Sequence, residues 1–247
     1  MENEWIFGRN PVLEVLKTGR DIQKLLIAEG SQKGSVQQIL RMAKEQSIII
    51  QQVPKKKLDQ MFDGPHQGVA AQVAAYQYAE LDDLYNVART RNEAPFFIIL
   101  DELEDPHNLG SIMRTCDAVG AHGIIIPKRR SAGLTATVAK ASTGAIEHIP
   151  VARVTNLART IEDLKTEGVW IVGTDASATQ DYRQLDGNMP IGLVIGSEGK
   201  GMSRLIKEKC DFLISLPMKG HVTSLNASVA ASILMYEVFR KRYSIGE

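Results

Sequence analysis

From Pro95 onward, the chain alternates short, continuous apolar runs with stretches of helical spacing. The runs stay apolar at successive positions, which is typical of strands that are buried on both faces. Such strands belong in a parallel sheet covered by helices on either side. Residues 95–247 are therefore predicted to form an α/β domain around a parallel sheet. The predicted strands are Phe96–Leu100, Gly123–Ile126, Val169–Gly173, Ile191–Gly196 and Phe212–Leu216.

Residues 1–78 are predicted to form a separate, smaller α/β domain. Asn10 followed by Pro11 is typical of a helix start, with Asn10 as the N-cap and a short helix running through Leu16. The other predicted elements are an amphipathic helix and three strands, at Ser35–Glu45, Lys24–Ala28, Ser47–Val53 and Val69–Ala75. The segment 79–94 is polar and poor in large apolar residues, and it is predicted to be a linker.

The distribution of charged residues along the chain indicates more about its ligands than the net charge does. The 247 residues include 29 Lys and Arg and 29 Asp and Glu, so the net charge gives no indication of nucleic-acid binding. The stretch 118–146 lacks acidic residues and contains four basic ones, Lys128, Arg129, Arg130 and Lys140. Its run at 128–130 lies beside the pocket predicted below, which favours attraction of phosphate groups. The second run, Lys55–Lys57, fits an ordinary solvated face.

Cys116 and Cys210 are the only cysteines in the sequence. Neither has the C-x-x-C or Cys/His spacing of a zinc site, so we expect neither a disulfide framework nor a bound metal. The N-terminal residues lack the apolar core of a signal peptide. No apolar run approaches the ~20 residues of a membrane span. These features predict a cytoplasmic protein without a membrane segment.

Three segments distant in sequence place glycines and small polar residues where apolar runs stop. They are residues 108–114, 196–201 and 224–226. Ligands of parallel sheets collect beyond the carboxyl ends of the strands, so these segments are predicted to meet at one pocket. The pattern indicates an enzyme site.

The first segment has the spacing of a helix that starts at Asn108 and stops at Gly120. Its apolar face consists of Leu109, Ile112, Met113, Cys116 and Val119. Ser111 and Arg114 project from the opposite side. A surface arginine on an amphipathic helix is the ordinary explanation for one such residue. A helix start directly after a strand and an acidic turn favours a functional role, because its amide groups would point into the strand-end crevice.

The second segment fails both common glycine-loop patterns. A Walker A loop requires Ser or Thr after its Gly-Lys pair, and Lys200 is followed here by Gly201 and Met202. The order G-x-x-G-x-G also differs from the dinucleotide fingerprint G-x-G-x-x-G. Its distinguishing residue is Glu198, an acid within a tight glycine turn after a buried strand.

The third segment leads into a long predicted helix, Ala227–Arg240, with Ser224 or Asn226 as its N-cap. This helix is apolar on two faces, so one stripe should cover the sheet and the other is a candidate subunit interface. The stripes are Val229, Ile233 and Tyr236 on one face, and Ala230, Leu234 and Val238 on the other.

Together the segments resemble the SpoU (TrmH-type) branch of the SPOUT methyltransferases. The three motifs of that family resemble residues 104–118, 193–202, and 214–218 with 224–230. The first 78 residues, with Phe7-Gly-Arg-Asn-Pro-Val and His66-Gln-Gly-Val, resemble the L30e-like substrate-binding domain of bacterial 23S rRNA guanosine 2′-O-ribose methyltransferases. The resemblance implies a C-terminal domain with a deep trefoil knot, S-adenosyl-L-methionine bound in the knot, and a homodimer that completes the site.

The resemblance also implies roles for individual residues. Asn108, Arg114, Glu198, Ser224 and Asn226 would serve catalysis and substrate. Thr174, Gly196, Leu216 and Leu225 would line the cofactor. Arg114 would either act as a base toward the 2′-hydroxyl or stabilise the developing alkoxide as a fixed cation, because a guanidinium rarely loses its proton. The implied substrate is a guanosine of 23S rRNA.

Two other classes of protein and one other substrate are alternatives to this interpretation. A non-catalytic RNA-binding protein would not need Asn108, Arg114, Glu198 and Asn226 together. A different nucleotide-dependent α/β enzyme is disfavoured by the failed Walker and dinucleotide patterns. Within the methyltransferase interpretation, tRNA is the alternative substrate, since fold-level analogy is a weak guide to substrate choice.

Overall fold

The structure is a computed structural model that describes residues 3–18, 22–31, 34–74 and 76–243. The chain divides into two compact units, Met1–Gln77 and Tyr78–Glu247. Each unit has its own sheet.

The described residues of unit 1 form a four-stranded mixed sheet with the order β1-β4-β2-β3. Its strands are β1 (Asn3–Phe7), β2 (Ile22–Ala28), β3 (Ile49–Val53) and β4 (Val69–Ala74). Its helices are α1 (Arg9–Thr18), α2 (Ser35–Glu45) and α3 (Lys55–Met61). Strand β4 pairs antiparallel with β1 and β2, whereas β2 and β3 are parallel.

The predicted elements of unit 1 are present, with shifts at their ends. Helix α2 has the predicted bounds. The prediction of Asn10 as an N-cap is wrong, because α1 already begins at Arg9. Gly8, with φ of 100°, turns the chain directly from β1 into the helix, and its carbonyl accepts the N–H of Val12 at 3.2 Å. Ser47 lies in a turn with φ of 55° before β3. Ala75, the predicted end of β4, lies outside the described residues.

In unit 2, the part of the chain that the structure describes contains seven strands in the order β7-β6-β5-β10-β8-β11-β9. Its strands are β5 (Phe96–Asp101), β6 (Gly123–Pro127), β7 (Val151–Val154), β8 (Trp170–Thr174), β9 (Gln180–Asp181), β10 (Ile191–Gly196) and β11 (Phe212–Ser215). Every neighbouring pair is parallel. This confirms the predicted α/β fold class. The short strands β7 and β9 were not predicted.

Helices cover both faces of this sheet. They are α4 (Leu81–Arg91), α5 (Pro106–Val119), α6 (Ala136–Ser142), α7 (Leu157–Thr166), α8 (Arg204–Lys209) and α9 (Ala227–Arg242). All six residues of β5 are buried. Alternate β5 side chains join two different cores, Ile98 with residues of α5 and α9, and Phe97 with residues of α4 and α7. The continuous apolar run therefore arises because each face needs its own apolar side chains.

The segment 79–94, expected to be a linker, contains helix α4 in the structure. The helix belongs to unit 2, where Leu84 and Ala88 are buried, and it has a capping box formed by Glu80 and Asp83. Two buried side chains per three turns give a weak apolar pattern, which is why the sequence suggested a linker. Among the described residues, no helix is long and apolar enough to cross a membrane.

Candidate active site

The carboxyl ends of the central strands place the three predicted segments at one edge of the sheet. Gly196, the last residue of β10, is the register partner of Asp101 at the end of β5. On the other side of β10, β8 pairs with β11, and Thr174 is opposite Ile214. The loops that follow these four strands therefore emerge side by side.

Helix α5 begins two residues earlier than predicted. Asp105 is its N-cap and accepts the N–H of His107 at 2.9 Å, and Pro106 occupies the first helical position. Asn108 therefore lies inside the first turn, where it is 4% exposed. The predicted stop is confirmed, because Gly120 ends the helix with φ of 72°.

Glu198 is the centre of a hydrogen-bond network that joins the three segments. Its Oε1 accepts the side-chain amide of Asn108 at 3.0 Å and the backbone N–H of Ala227 at 3.3 Å. It also accepts the side-chain amide of Asn226. The Asn226 amide in turn contacts Oδ1 of Asn108 at 3.0 Å. Side chains separated by 28 to 118 residues in sequence are thus held together.

Asn226 also fixes the start of helix α9. Its Oδ1 accepts the N–H of Ser228 at 3.0 Å and that of Val229 at 3.3 Å. Asn226 is therefore the N-cap, and Ser224 is not. One side chain serves both the helix start and the Glu198 network, so the position of α9 and the arrangement of the network depend on each other. Ser224 is exposed in the preceding loop.

The glycine turn after β10 requires glycine at its first position. Ser197 and Gly201 exchange two backbone hydrogen bonds of 3.1 and 2.9 Å, which close the turn. A Cβ at Gly196 would lie 2.2 Å from the carbonyl carbon of Gly201. The turn is tied to β5 because the buried carboxylate of Asp101 accepts the N–H of Ser203 at 2.6 Å.

A cavity of about 460 Å³ opens beside this turn. All four predicted cofactor residues line it: Thr174, Gly196, Leu216 and Leu225. Glu198 and Ser224 line it as well. The volume falls within the ~300–1,000 Å³ typical of small-molecule sites.

The cavity also contains residues that the sequence did not indicate. They are Asp175, Ala176 and Ser177. Asp175 lies directly after β8, and hydrogen bonds from Lys207 and Ser177 lower its pKa to about 2. Position after a strand end was the only sequence signal for Asp175, and the same signal also fits an ordinary turn.

A smaller cavity of about 260 Å³ is lined by residues of the β5–α5 loop and of the glycine turn. Asn108, Glu198 and Lys200 contribute to it. Because Glu198 and Lys200 line both cavities, the two spaces share a wall. A ligand in the larger cavity and a second group in the smaller one would meet beside the Glu198 network.

Arg114 does not join this cluster within one chain, contrary to the expected convergence with Glu198 and Asn226. It is exposed and lines neither cavity. Six residues of α-helix place it about 9 Å along the axis from Asn108 and on a different side. Among the described residues, Arg114 has no hydrogen-bond or ion-pair partner. The neighbouring Thr115 contacts Ser232 of α9 at 2.8 Å, so Arg114 lies next to the outer part of the α5–α9 pair.

Comparison with known families gives two matches that together span most of the chain. Residues 95–236 match the SpoU rRNA Methylase family. Residues 5–79 match the domain described as RNA 2′-O ribose methyltransferase substrate binding.

Related proteins match over the full length. YacO of Bacillus subtilis, provisionally named a TrmH family tRNA/rRNA methyltransferase, is 70% identical, with 100% of this chain and 99% of YacO covered. The SpoU methyltransferase AviRb of Streptomyces viridochromogenes, solved in complex with AdoMet, has 26% identity and a TM-score of 0.68 over 97% of this chain and 90% of that one. An AdoMet-bound rRNA methyltransferase of Sinorhizobium meliloti has 27% identity and a TM-score of 0.67 over 98% and 88%.

Proposed function

The chain belongs to the SpoU rRNA methylase family, and we propose that it transfers a methyl group from S-adenosylmethionine to a ribose 2′-hydroxyl of RNA. The observation that carries the proposal is the network of Asn108, Glu198 and Asn226 beside a cavity of small-molecule size. Homologues solved with this methyl donor support the choice of ligand.

The larger cavity suits the methyl donor in size and in lining. Leu216 and Leu225 provide apolar surface for a flat base, and Thr174 and Ser177 provide hydroxyl groups. Gly196 allows the backbone of Gly201 and Met202 to approach closely, which shapes this wall of the cavity. When bound, the donor supplies a methyl group activated by its positively charged sulfur. The protein must align the accepting hydroxyl with that group.

Substitution of Gly196 by alanine is expected to weaken S-adenosylmethionine binding about ten- to a hundredfold, because the new Cβ would overlap the backbone of Gly201 and Met202. Isothermal titration calorimetry measures this affinity directly. Gly220 is a suitable control, because a Cβ there meets no atom within 4 Å. Wild-type affinity in Gly196→Ala would contradict the assignment of this cavity.

We propose that Asn108, Glu198 and Asn226 position the target nucleotide where the two cavities meet. Glu198 accepts from both asparagine amides, which fixes the directions in which their remaining polar atoms point. A network whose members are mutually hydrogen-bonded needs little rearrangement when the substrate binds. Ser224, exposed in the loop that lines the larger cavity, would contact the substrate or the donor.

Arg114 does not reach the Glu198 network of its own chain, and we propose that the Arg114 of a second copy of the chain takes this place. Helix α9 buries Leu234 and Val238 in its own unit, while Val229, Ile233 and Tyr236 are 47%, 37% and 51% exposed. An exposed apolar stripe of this kind marks an interaction surface. Arg114 lies beside it, since α5 and α9 are joined through Thr115 and Ser232. In a two-fold dimer built on this surface, the partner's Arg114 would complete the site.

The role proposed for Arg114 is electrostatic. A guanidinium rarely gives up its proton, so it is better suited to stabilise a developing alkoxide than to act as a base. The proton of the 2′-hydroxyl would pass to water or to a phosphate oxygen of the RNA.

Among RNA substrates, we propose a guanosine of 23S rRNA, with tRNA as the alternative. The match of residues 5–79 to a substrate-binding domain supports an RNA substrate. The exposed residues Lys128 and Arg129, in the loop after β6, provide positive charge near the strand ends. The proposed setting is the cytoplasm.

The test is to incubate the protein with labelled S-adenosylmethionine and deproteinised total RNA from a strain that lacks it. Label is expected in 23S rRNA, on one ribose. Label in the tRNA fraction would favour the alternative substrate. Absence of label from every RNA fraction would contradict the proposed function.

A further inference from the structure

Unit 1 has a large cavity of its own, of about 800 Å³. It forms where two sequence motifs meet, Phe7-Gly-Arg-Asn-Pro-Val and His66-Gln-Gly-Val. The antiparallel register of β1 and β4 pairs Phe7 with Ala70. The residues just after β1 therefore lie next to those just before β4, and Arg9, Gln67 and Gly68 all line the cavity.

Arg9 is held in place by Gln67 through two hydrogen bonds. The backbone N–H of Arg9 donates to Oε1 of Gln67 at 3.1 Å, and its Nε donates to the Gln67 carbonyl at 3.2 Å. Within the described parts of the chain, the two terminal nitrogens of this guanidinium have no acceptor. Their N–H groups form a fixed fork of the kind that binds phosphate at two points. The side chain is thus oriented before any ligand arrives.

The turn that holds Arg9 is itself rigidly supported. His66 is 5% exposed, and its Nδ1 accepts the N–H of Gly68 at 3.0 Å. The ring proton is therefore on Nε2, which donates to Asp59 at 2.8 Å. Gln67 adopts φ of 51°, a left-handed conformation that is uncommon outside glycine. Strained backbone of this kind is often found at binding sites.

Lys55 supplies a second positive charge. It opens α3 and is the only member of the Lys55–Lys57 run that lines the cavity. Asp59, one turn further along α3, is engaged with His66. Within the described residues, Lys55 forms no ion pair with it. Of the described residues, those that line the cavity thus include two cations and one carboxylate, and that carboxylate is already hydrogen-bonded.

We propose that this cavity binds a phosphodiester group of the RNA substrate, through Arg9 and Lys55. The inference rests on the proposed function and specifies how unit 1 contributes to it. Contacts to the RNA backbone fix the position of the substrate and carry no information about the base. The cavity therefore contributes to affinity and placement, and the choice of nucleotide is made elsewhere.

The test compares Arg9→Ala, Arg9→Lys and Lys55→Ala in the full-length protein, with deproteinised 23S rRNA from a strain that lacks the protein as the probe. Arg9→Ala and Lys55→Ala are each expected to raise KM for RNA about tenfold, with kcat and S-adenosylmethionine affinity unchanged. Each should also reduce the slope of log Kd against log salt by about 1. Arg9→Lys keeps the charge and loses the fork, so its KM should fall between those of the wild type and the alanine variant.

Lys57→Ala is the matched control, because Lys57 belongs to the same basic run and does not line the cavity. It should behave as the wild type. An unchanged KM and salt slope in Arg9→Ala and Lys55→Ala, with active wild-type protein, would overturn this inference alone. An equal effect of Lys57→Ala would also overturn it, by indicating general surface charge. Lack of methylation by the wild type would instead contradict the proposed function.

A calorimetric titration with inorganic phosphate distinguishes the RNA backbone from a free anion. Weak binding, in the millimolar range, is expected for a single isolated phosphate group. Micromolar binding that Arg9→Ala removes, without any effect on KM for RNA, would assign the cavity to a small anion and overturn the proposal.

Discussion

Replacement of Arg114 by alanine is expected to lower kcat for RNA methylation about a thousandfold, which is the size of effect seen when a preorganised stabilising group is removed. Arg114 is exposed and has no ion-pair or hydrogen-bond partner in the described parts of its own chain. Its loss should therefore leave the free energy of unfolding within about 0.5 kcal/mol of the wild type. Single-turnover methyl transfer and thermal unfolding measure the two effects.

Two further variants test why Arg114 matters. Arg114→Lys keeps a cation and should retain more activity than Arg114→Ala if the role is electrostatic. Ser111→Ala changes an exposed residue one turn earlier on α5 and should leave turnover unchanged. Near-normal turnover in Arg114→Ala, with unchanged S-adenosylmethionine affinity, would remove Arg114 from the site.

The second large effect is expected for Glu198→Ala. Glu198 accepts hydrogen bonds from Asn108, Asn226 and the Ala227 backbone. Without it, the buried amide of Asn108 loses its acceptor, which costs about 1–3 kcal/mol. The turn and the start of α9 would no longer be joined. We therefore expect kcat/KM to fall at least about a hundredfold, together with a measurable loss in thermal stability.

Glu198→Gln separates hydrogen bonding from charge at this position. The glutamine Oε1 can still accept, and the volume is nearly the same. This variant should keep most of the thermal stability that Glu198→Ala loses, while its activity reports what the charge contributes. A Glu198→Ala protein with wild-type stability and turnover would contradict the role assigned to the network.

The parallel sheet could be predicted because burial of a strand on both faces leaves a continuous apolar run in the sequence. Strand β5 is buried on both faces, and its first five residues, Phe96–Leu100, are therefore all apolar. Helix α4 was missed for the opposite reason, since only Leu84 and Ala88 are fully buried and most of its other residues are polar. Strand β9, only two residues long, has too few positions for any periodicity.

The order of the strands could not be read from periodicity. Strand β10 lies between β5 and β8, and β11 lies between β8 and β9. Such an arrangement depends on contacts between distant residues, and local patterns contain no information about it. The prediction of a knot came from the resemblance to a family and from no local pattern.

The site was predicted residue by residue, and the interactions within it were not. The sequence placed Glu198 in a glycine turn and left Ser224 or Asn226 as the N-cap of the following helix; in the structure, Glu198 is in that turn and Asn226 is the N-cap. One carboxylate oxygen of Glu198 accepts hydrogen bonds from both asparagines. The sequence could not predict these contacts, because they depend on how distant segments lie together in the fold. Arg114 is the clearest example of a contact that was predicted from the sequence and is absent within one chain, where Arg114 lies away from the network.

Subunit complementation tests the shared site most directly. Arg114→Ala retains the network and lacks the cation, whereas Glu198→Ala retains the cation and lacks the network. After the two inactive proteins are mixed and allowed to exchange subunits, half of the dimers are mixed, and each of these has one complete site. The account predicts recovery of about a quarter of wild-type activity. Arg114→Ala mixed with a chain carrying both substitutions should stay inactive. Failure of the first mixture to recover activity, with mixed dimers demonstrated, would contradict a site completed by the partner's Arg114.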